Sequence, residues 1–129
     1  MKEQKVLHIG IAPRDFVKRR TIEIANGSKP LTKGEPKLWV SSLESLGRML
    51  SDKNLLLLEM IRSANPQSVT ELAHLSGRAK SNLSRTLSSM ERLGLIELKD
   101  RGGGRKVPTV VYDEVQFKCS INPPKPKAA

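Results

Sequence analysis

With 129 residues, 37% of them hydrophobic, and a single cysteine, the chain has the size of one domain and excludes an internal disulfide framework. Its formal net charge of +10 and isoelectric point near 10.1 point to an anionic partner: nucleic acid, a membrane surface or an acidic protein. Aromatic residues make up only 3%, which counts against a reader of single strands that stacks bases on rings.

The segment Met1 to Ile11 is basic, short and interrupted by His8 and Gly10, unlike a secretory leader. The longest pure apolar run, Leu55–Leu58, is too short to span a bilayer. A soluble, cytoplasmic protein is expected. In chain order, VLHIGI (Val6–Ile11) predicts a short strand ended by Pro13. RDFVKRRTIEIA places Phe16, Val17, Thr21, Ile24 and Ala25 on one helical face, and Asn26-Gly27 supplies a stop. Gly27–Lys37, rich in Gly, Pro and Lys, reads as a linker or exposed arm.

Leu38–Ser42 reads as a brief strand or a helix entry. Ser41-x-x-Glu44 has capping-box spacing, with Leu43, Leu46, Met49 and Leu50 on the apolar face behind it. Asp52 is placed to cap the next helix, which Pro66 stops. Ser68-x-x-Glu71 opens a short helix with Leu72, Ala73 and Leu75 inward, and Gly77 closes it. A further helix carries Leu83, Leu87 and Met90 at i, i+4 and i+7 and ends at Gly94. LIELK and VPTVVY then alternate as two strands of a hairpin joined by Asp100–Lys106, with its three glycines. EVQFKCSI alternates again, with Val115, Phe117 and Cys119 on one side. The tail NPPKPKAA predicts extended or flexible chain.

The fold class read from this order is α+β, mainly α with a small antiparallel β part. Three helices, the last two joined by a tight Gly turn and followed by a hairpin, make a winged helix-turn-helix with an N-terminal extension. The expected organisation is an extension over 1–50, the winged domain over 51–119 and a flexible tail over 120–129.

Charge supports that reading. From Arg78 to Lys106 there are eight basic residues against Glu91, Glu97 and Asp100, an excess equal to half the net charge of the chain. If Leu83, Leu87 and Met90 face the core, the opposite face presents Lys80, Ser81, Asn82, Ser84, Arg85 and Ser88. A major groove about 12 Å wide admits one helix. Arg85 can then contact a guanine bidentately and Asn82 an adenine, while Ser81 and Ser84 suit phosphates or bases. Arg101, Arg105 and Lys106 on the wing would reach phosphates or the minor groove, and Gly77 and Arg78 form the turn. Ala79 stands where a Ser or Thr cap would be expected, so the helix start lacks a side-chain acceptor.

No catalytic set is found, and the chain is expected not to be an enzyme. His8 and His74 lack a cluster at ligand spacing, so no metal and no cofactor are expected. Cys119 reads as a partly buried thiol and Trp39 as a core anchor. GGGRK lacks the spacing of a phosphate loop.

Two resemblances sharpen these expectations. LAHLSGRAKSNLSRTL (Leu72–Leu87), with Leu-Ala, a Gly five residues after the Leu, then Leu83, Ser84-Arg85 and Leu87, resembles the MarR-like winged-helix regulators. LSSMERLGLIEL continues the likeness, which covers roughly Asp52 to Tyr112. GEPKLWVSSLESLGRMLSDKNLLLLEMI, joined to GRAKSNLSRTLSSMERLGLIEL and a late P-x-V-x-Y-D-E-V, resembles more closely a small family of winged-helix DNA-binding proteins. Its members are often the antitoxins beside TumE-type toxins; this likeness runs from about Asp15 to Phe117. It implies a repressor at the bacterial nucleoid, a type II toxin–antitoxin module, double-stranded operator DNA and a cognate toxin as partners, and autoregulation of the operon. A homodimer is expected because one recognition helix reads only a half-site. The N-terminal helix and basic arm would be the toxin or dimer surface; alternatively Val6–Ile11 pairs with Glu114–Cys119 and the first helix completes the fold. A stand-alone repressor with a small-molecule effector, and a basic RNA-binding protein, stay open as other classes.

Overall fold

The computed structural model describes residues 4–121 and is α+β. In chain order the elements are β1 (Val6–Ile11), α1 (Arg14–Asn26), β2 (Leu38–Val40), α2 (Leu43–Met49), α3 (Asp52–Ala64), α4 (Val69–Ser76), α5 (Lys80–Leu93), β3 (Ile96–Asp100), β4 (Lys106–Val110) and β5 (Glu114–Cys119). They form two compact units, one of residues 1–46 and 114–129, the other of residues 47–113. Among the described residues no helix is long and apolar enough to cross a membrane. Most of the tail expected over 120–129 lies outside the described residues.

The β part differs from the sequence expectation. Only β3 and β4 pair antiparallel, with Ile96 opposite Val110 and Asp100 opposite Lys106. The other sheet is parallel, in the order β2-β1-β5. β5 lies with the first unit and not with the winged domain over 51–119: it pairs with β1, Val6 aligning with Glu114 and Ile11 with Cys119, as the alternative reading of Val6–Ile11 has it. Alternation identifies a half-buried strand but carries no information about its partner, so the same pattern served either place.

In the first unit, Leu7 and Ile9 of β1 are buried. Gly10 is there because of Trp39, its neighbour across the β1–β2 ladder: a Cβ on Gly10 would lie 2.5 Å from the indole ring. The indole also meets Phe16 edge-on, ring centres 5.0 Å apart. Trp39 thus joins sheet and helix, as a half-buried side chain.

α1 runs from Pro13 to a left-handed Gly27. Its inward residues are Phe16, Val17, Arg20 and Ile24, whereas Thr21 and Ala25, expected inward, are exposed. Hydropathy assigns arginine outward; here its charge is matched, so its stem can be buried. The Nε and Nη2 of Arg20 each donate at 2.6 Å to the carboxylate of Glu35, and Nη1 and Nη2 reach the carbonyls of Lys29 at 2.7 Å and Pro30 at 3.1 Å. The Gly27–Lys37 segment is therefore an exposed but pinned loop. Glu35 also accepts from the Trp39 indole at 2.9 Å and from the N–H and hydroxyl of Thr32.

At the starts of α2 and α3 the caps sit one residue from their expected places. Ser42, not Ser41, accepts from Ser45 N–H at the start of α2, and Ser51, not Asp52, accepts from Asn54 N–H at the start of α3. Capping boxes locate a terminus by spacing alone, and neighbouring Ser-Ser and Ser-Asp pairs offer two frames. The Asn54 amide donates to the carbonyls of Arg48 and Met49, which closes the end of α2. Leu57 and Ile61 of α3 are buried, with Leu72 of α4, Leu83, Leu87 and Met90 of α5, and Leu95, Ile96 and Val107 of the hairpin. Leu43 and Leu75, expected inward, are about half exposed.

The Arg20 guanidinium, through its hydrogen bonds, holds the Glu35 carboxyl at about 2 against an ordinary 4.5, with the indole and Thr32 acting the same way and burial opposing them. A lowered folded-state value means stability that is present above about 4.5 and lost as pH falls toward about 2. Glu35→Gln should lower the melting temperature at neutral pH by about 5 °C or more and flatten its dependence on pH across that acid window. Thermal melts at neutral and acid pH check this; a variant that keeps the full acid drop of the parent chain refutes it.

Candidate nucleic-acid interface

α4 and α5 are joined by the three residues Gly77–Ala79. Ser68 caps α4, accepting from Glu71 N–H at 3.0 Å, and the Glu71 carboxylate accepts in turn from Gln67 N–H, one residue before the cap. Gly77 closes α4 with a φ of 72°, a left-handed conformation that glycine adopts without cost. α5 starts at Ala79 with no side-chain cap and ends at the left-handed Gly94.

The rotation of α5 follows from its core stripe. Leu83, Leu87 and Met90 are fully buried, so the helical period turns Ser81 and Arg85 directly outward. Lys80, Ser84 and Ser88, at i, i+4 and i+8, form a row on one flank, and Asn82 lies on the other. All six are exposed.

The Lys80–Ser84–Ser88 row faces the β3–β4 hairpin across a groove of about 580 Å³. Leu87 and Leu98 contribute to its lining, with Gly103, Gly104, Arg105 and Lys106 from the hairpin and Ser68, Val69 and Thr70 from the start of α4. Three cations and no carboxylate line it. Sequence reasoning missed the α4 contribution, although the Ser68 capping box marked that helix start. Exposed N–H groups at a helix start add partial positive charge. Of the sequence-predicted residues, Lys80, Ser84, Ser88, Arg105 and Lys106 come together here, whereas Ser81, Asn82, Arg85 and Arg101 stand on the surface outside the groove.

The hairpin tip is shaped by its own backbone. Asp100 accepts from Gly102 N–H at 2.9 Å, and Arg101 N–H donates to Arg105 O at 2.8 Å. Gly102, Gly103 and Gly104 all have positive φ, so the tip needs glycine for its conformation and not only for clearance. Glu91 accepts from Leu98 N–H at 3.1 Å and ties α5 to β3. Both acids thus serve the backbone. Among the described residues Lys80, Arg85, Arg101, Arg105 and Lys106 make no ion pair.

Arg78 is different. Its guanidinium donates to Asn54 Oδ1 at 3.1 Å and to Lys53 O at 2.8 Å, fastening the turn to α3. Its side chain positions α5 and is not a free cation. Cys119, expected to be partly buried, is exposed. No group of three His, Cys, Asp or Glu residues that could hold a metal occurs among the described residues.

Fold and site together define an α+β chain whose second unit carries a cationic groove between a helix and a hairpin. The model of the HVO_A0114 family matches residues 49–117, just over half of the chain, and the chain belongs to that family. No curated protein and no solved structure matches it.

Because the start of α5 lacks a cap, Ala79→Ser should place an acceptor within reach of Asn82 N–H, as its extended backbone allows, and stabilise the chain by about 0.5–2 kcal/mol. Urea unfolding tests this; no gain in midpoint would mean that the helix start is already satisfied.

Proposed function

We propose that the chain is a sequence-specific, double-stranded DNA-binding transcriptional repressor, not an enzyme, with a winged helix-turn-helix in residues 47–113. The observation that carries the reading is the set of five unpaired cations, Lys80, Arg85, Arg101, Arg105 and Lys106, on α5 and the adjoining hairpin, around a groove without a carboxylate. α5 is the recognition helix. Its outward Arg85 reads guanine, Asn82 reads adenine, and Ser81, Ser84 and Ser88 contact bases or phosphates. Lys80, Arg101, Arg105 and Lys106 neutralise phosphates, and the glycine tip lets the wing approach the groove wall. A glycine-rich hairpin or a polar helix face alone is ordinary surface. Their combination with a fully buried Leu83–Leu87–Met90 stripe and the MarR-like spacing supports a reader. Two copies would read two half-sites.

The resemblance to antitoxins found beside TumE-type toxins supports a second task for the same protein: direct neutralisation of a toxin together with repression of the shared operon. The separate first unit offers surface for such a partner. Co-expression with the adjacent gene tests this; a harmless neighbour that forms no complex removes the antitoxin role and leaves the repressor.

Arg85→Ala should abolish discrimination between specific and random duplexes. Arg105→Ala should weaken binding to every duplex and lower the slope of log affinity against log salt by about one unit. Fluorescence anisotropy over a salt series measures both. Equal affinity of the parent chain for operator and random DNA at moderate salt overturns the proposal.

A further inference from the structure

β1 is the middle strand of the parallel sheet, which leaves β5 at an edge. Glu114 N–H donates to Lys5 O at 3.2 Å, so the backbone groups of Glu114, Gln116 and Lys118 turn toward β1. By the alternation of a strand, the N–H and C=O groups of Val115 and Phe117 turn to the open edge. The side chains there are exposed except for the half-buried Val115, and Phe117 keeps 54% of its surface in contact with solvent. The strand has neither a proline nor a bulge to blunt it, so it is a template for another strand.

Its own sequence says which strand fits. Glu114-Val115-Gln116-Phe117-Lys118 is acidic at one end, basic at the other and apolar on either side of Gln116. When two copies run antiparallel about a twofold axis at Gln116, Glu114 of each faces Lys118 of the other, and Val115 of each faces Phe117 of the other. The backbone accepts the same axis. Gln116 then forms a close pair without hydrogen bonds, while Val115 and Phe117 exchange theirs across the edge. An axis at Val115 sets Glu114 against Gln116, and an axis at Phe117 sets Glu114 against Ser120; neither brings opposite charges together.

We infer that two copies of the chain dimerise through β5, antiparallel and with the twofold axis at Gln116, joining their two sheets into one. This interface belongs to the first unit and deepens the proposed function, on which its role rests, since that function needs two half-site readers. The test contains no DNA, so its failure and a failure of that reading are distinguishable.

In a Cys119→Ser background, Gln116→Cys should form a covalent dimer on mild oxidation. The Cα atoms of such a pair lie about 4.5 Å apart, within the disulfide range of about 4.4–6.8 Å. Lys118→Cys in the same background should not, because its two copies lie far from the axis. In sedimentation equilibrium, Glu114→Lys should weaken dimerisation about tenfold, since two attractive pairs become repulsive. The double change Glu114→Lys with Lys118→Glu should restore it, which separates loss of pairing from loss of folding. A monomeric parent chain, equal cross-linking of the two cysteine variants, or a double variant no better than the single one each overturns the inference.

Discussion

The burial of one apolar stripe governs the second unit. Leu83, Leu87 and Met90 are buried, and they close on Leu72, Leu95 and Ile96, which are buried as well. A helix held along three positions over two turns has no rotational freedom left. Every feature of the outer face follows from this: the outward aim of Ser81 and Arg85, and the flank of Lys80, Ser84 and Ser88 turned to the hairpin. In the proposed reading, the apolar residues choose which side chains meet DNA without touching it.

The first unit depends on a polar interaction. Arg20 and Glu35 meet through two hydrogen bonds of 2.6 Å, and the remaining donors of Arg20 satisfy the Lys29 and Pro30 carbonyls. A short helix packed on a small parallel sheet offers little apolar area. The ion pair supplements it by tying the Gly27–Lys37 loop down and by orienting Trp39 through Glu35. The indole in turn requires Gly10 beneath it. The same unit leaves the β5 edge open, and the charge order along that strand makes it complementary to itself.

Local chemistry was legible wherever one residue decides one conformation. Ser68, Gly77 and Gly94 end or begin helices as their side chains, or lack of one, require, and Ala79 leaves its helix uncapped. The alternating strands around the three glycines form the expected hairpin. Illegible were features that depend on a distant partner. Arg20 is inward because Glu35, fifteen residues on, receives it. Arg78 is occupied because Asn54 and the Lys53 carbonyl lie beside it in space. Thr21 and Leu75 face solvent although periodicity assigns both to an inward face.

The sequence by itself therefore determined the helices and strands, most of their ends, the core stripe of α5 and the cationic composition of its outer face. These are set by periodicity and by backbone preferences within a few residues. Only the tertiary structure decided that β5 joins β1 in a parallel sheet, that the chain divides into two units within α2, and that Lys80, Arg105 and Lys106 share one groove. Alternation carries no address, and the meeting of residues far apart in the chain is selected by packing and charge matching that no local pattern encodes.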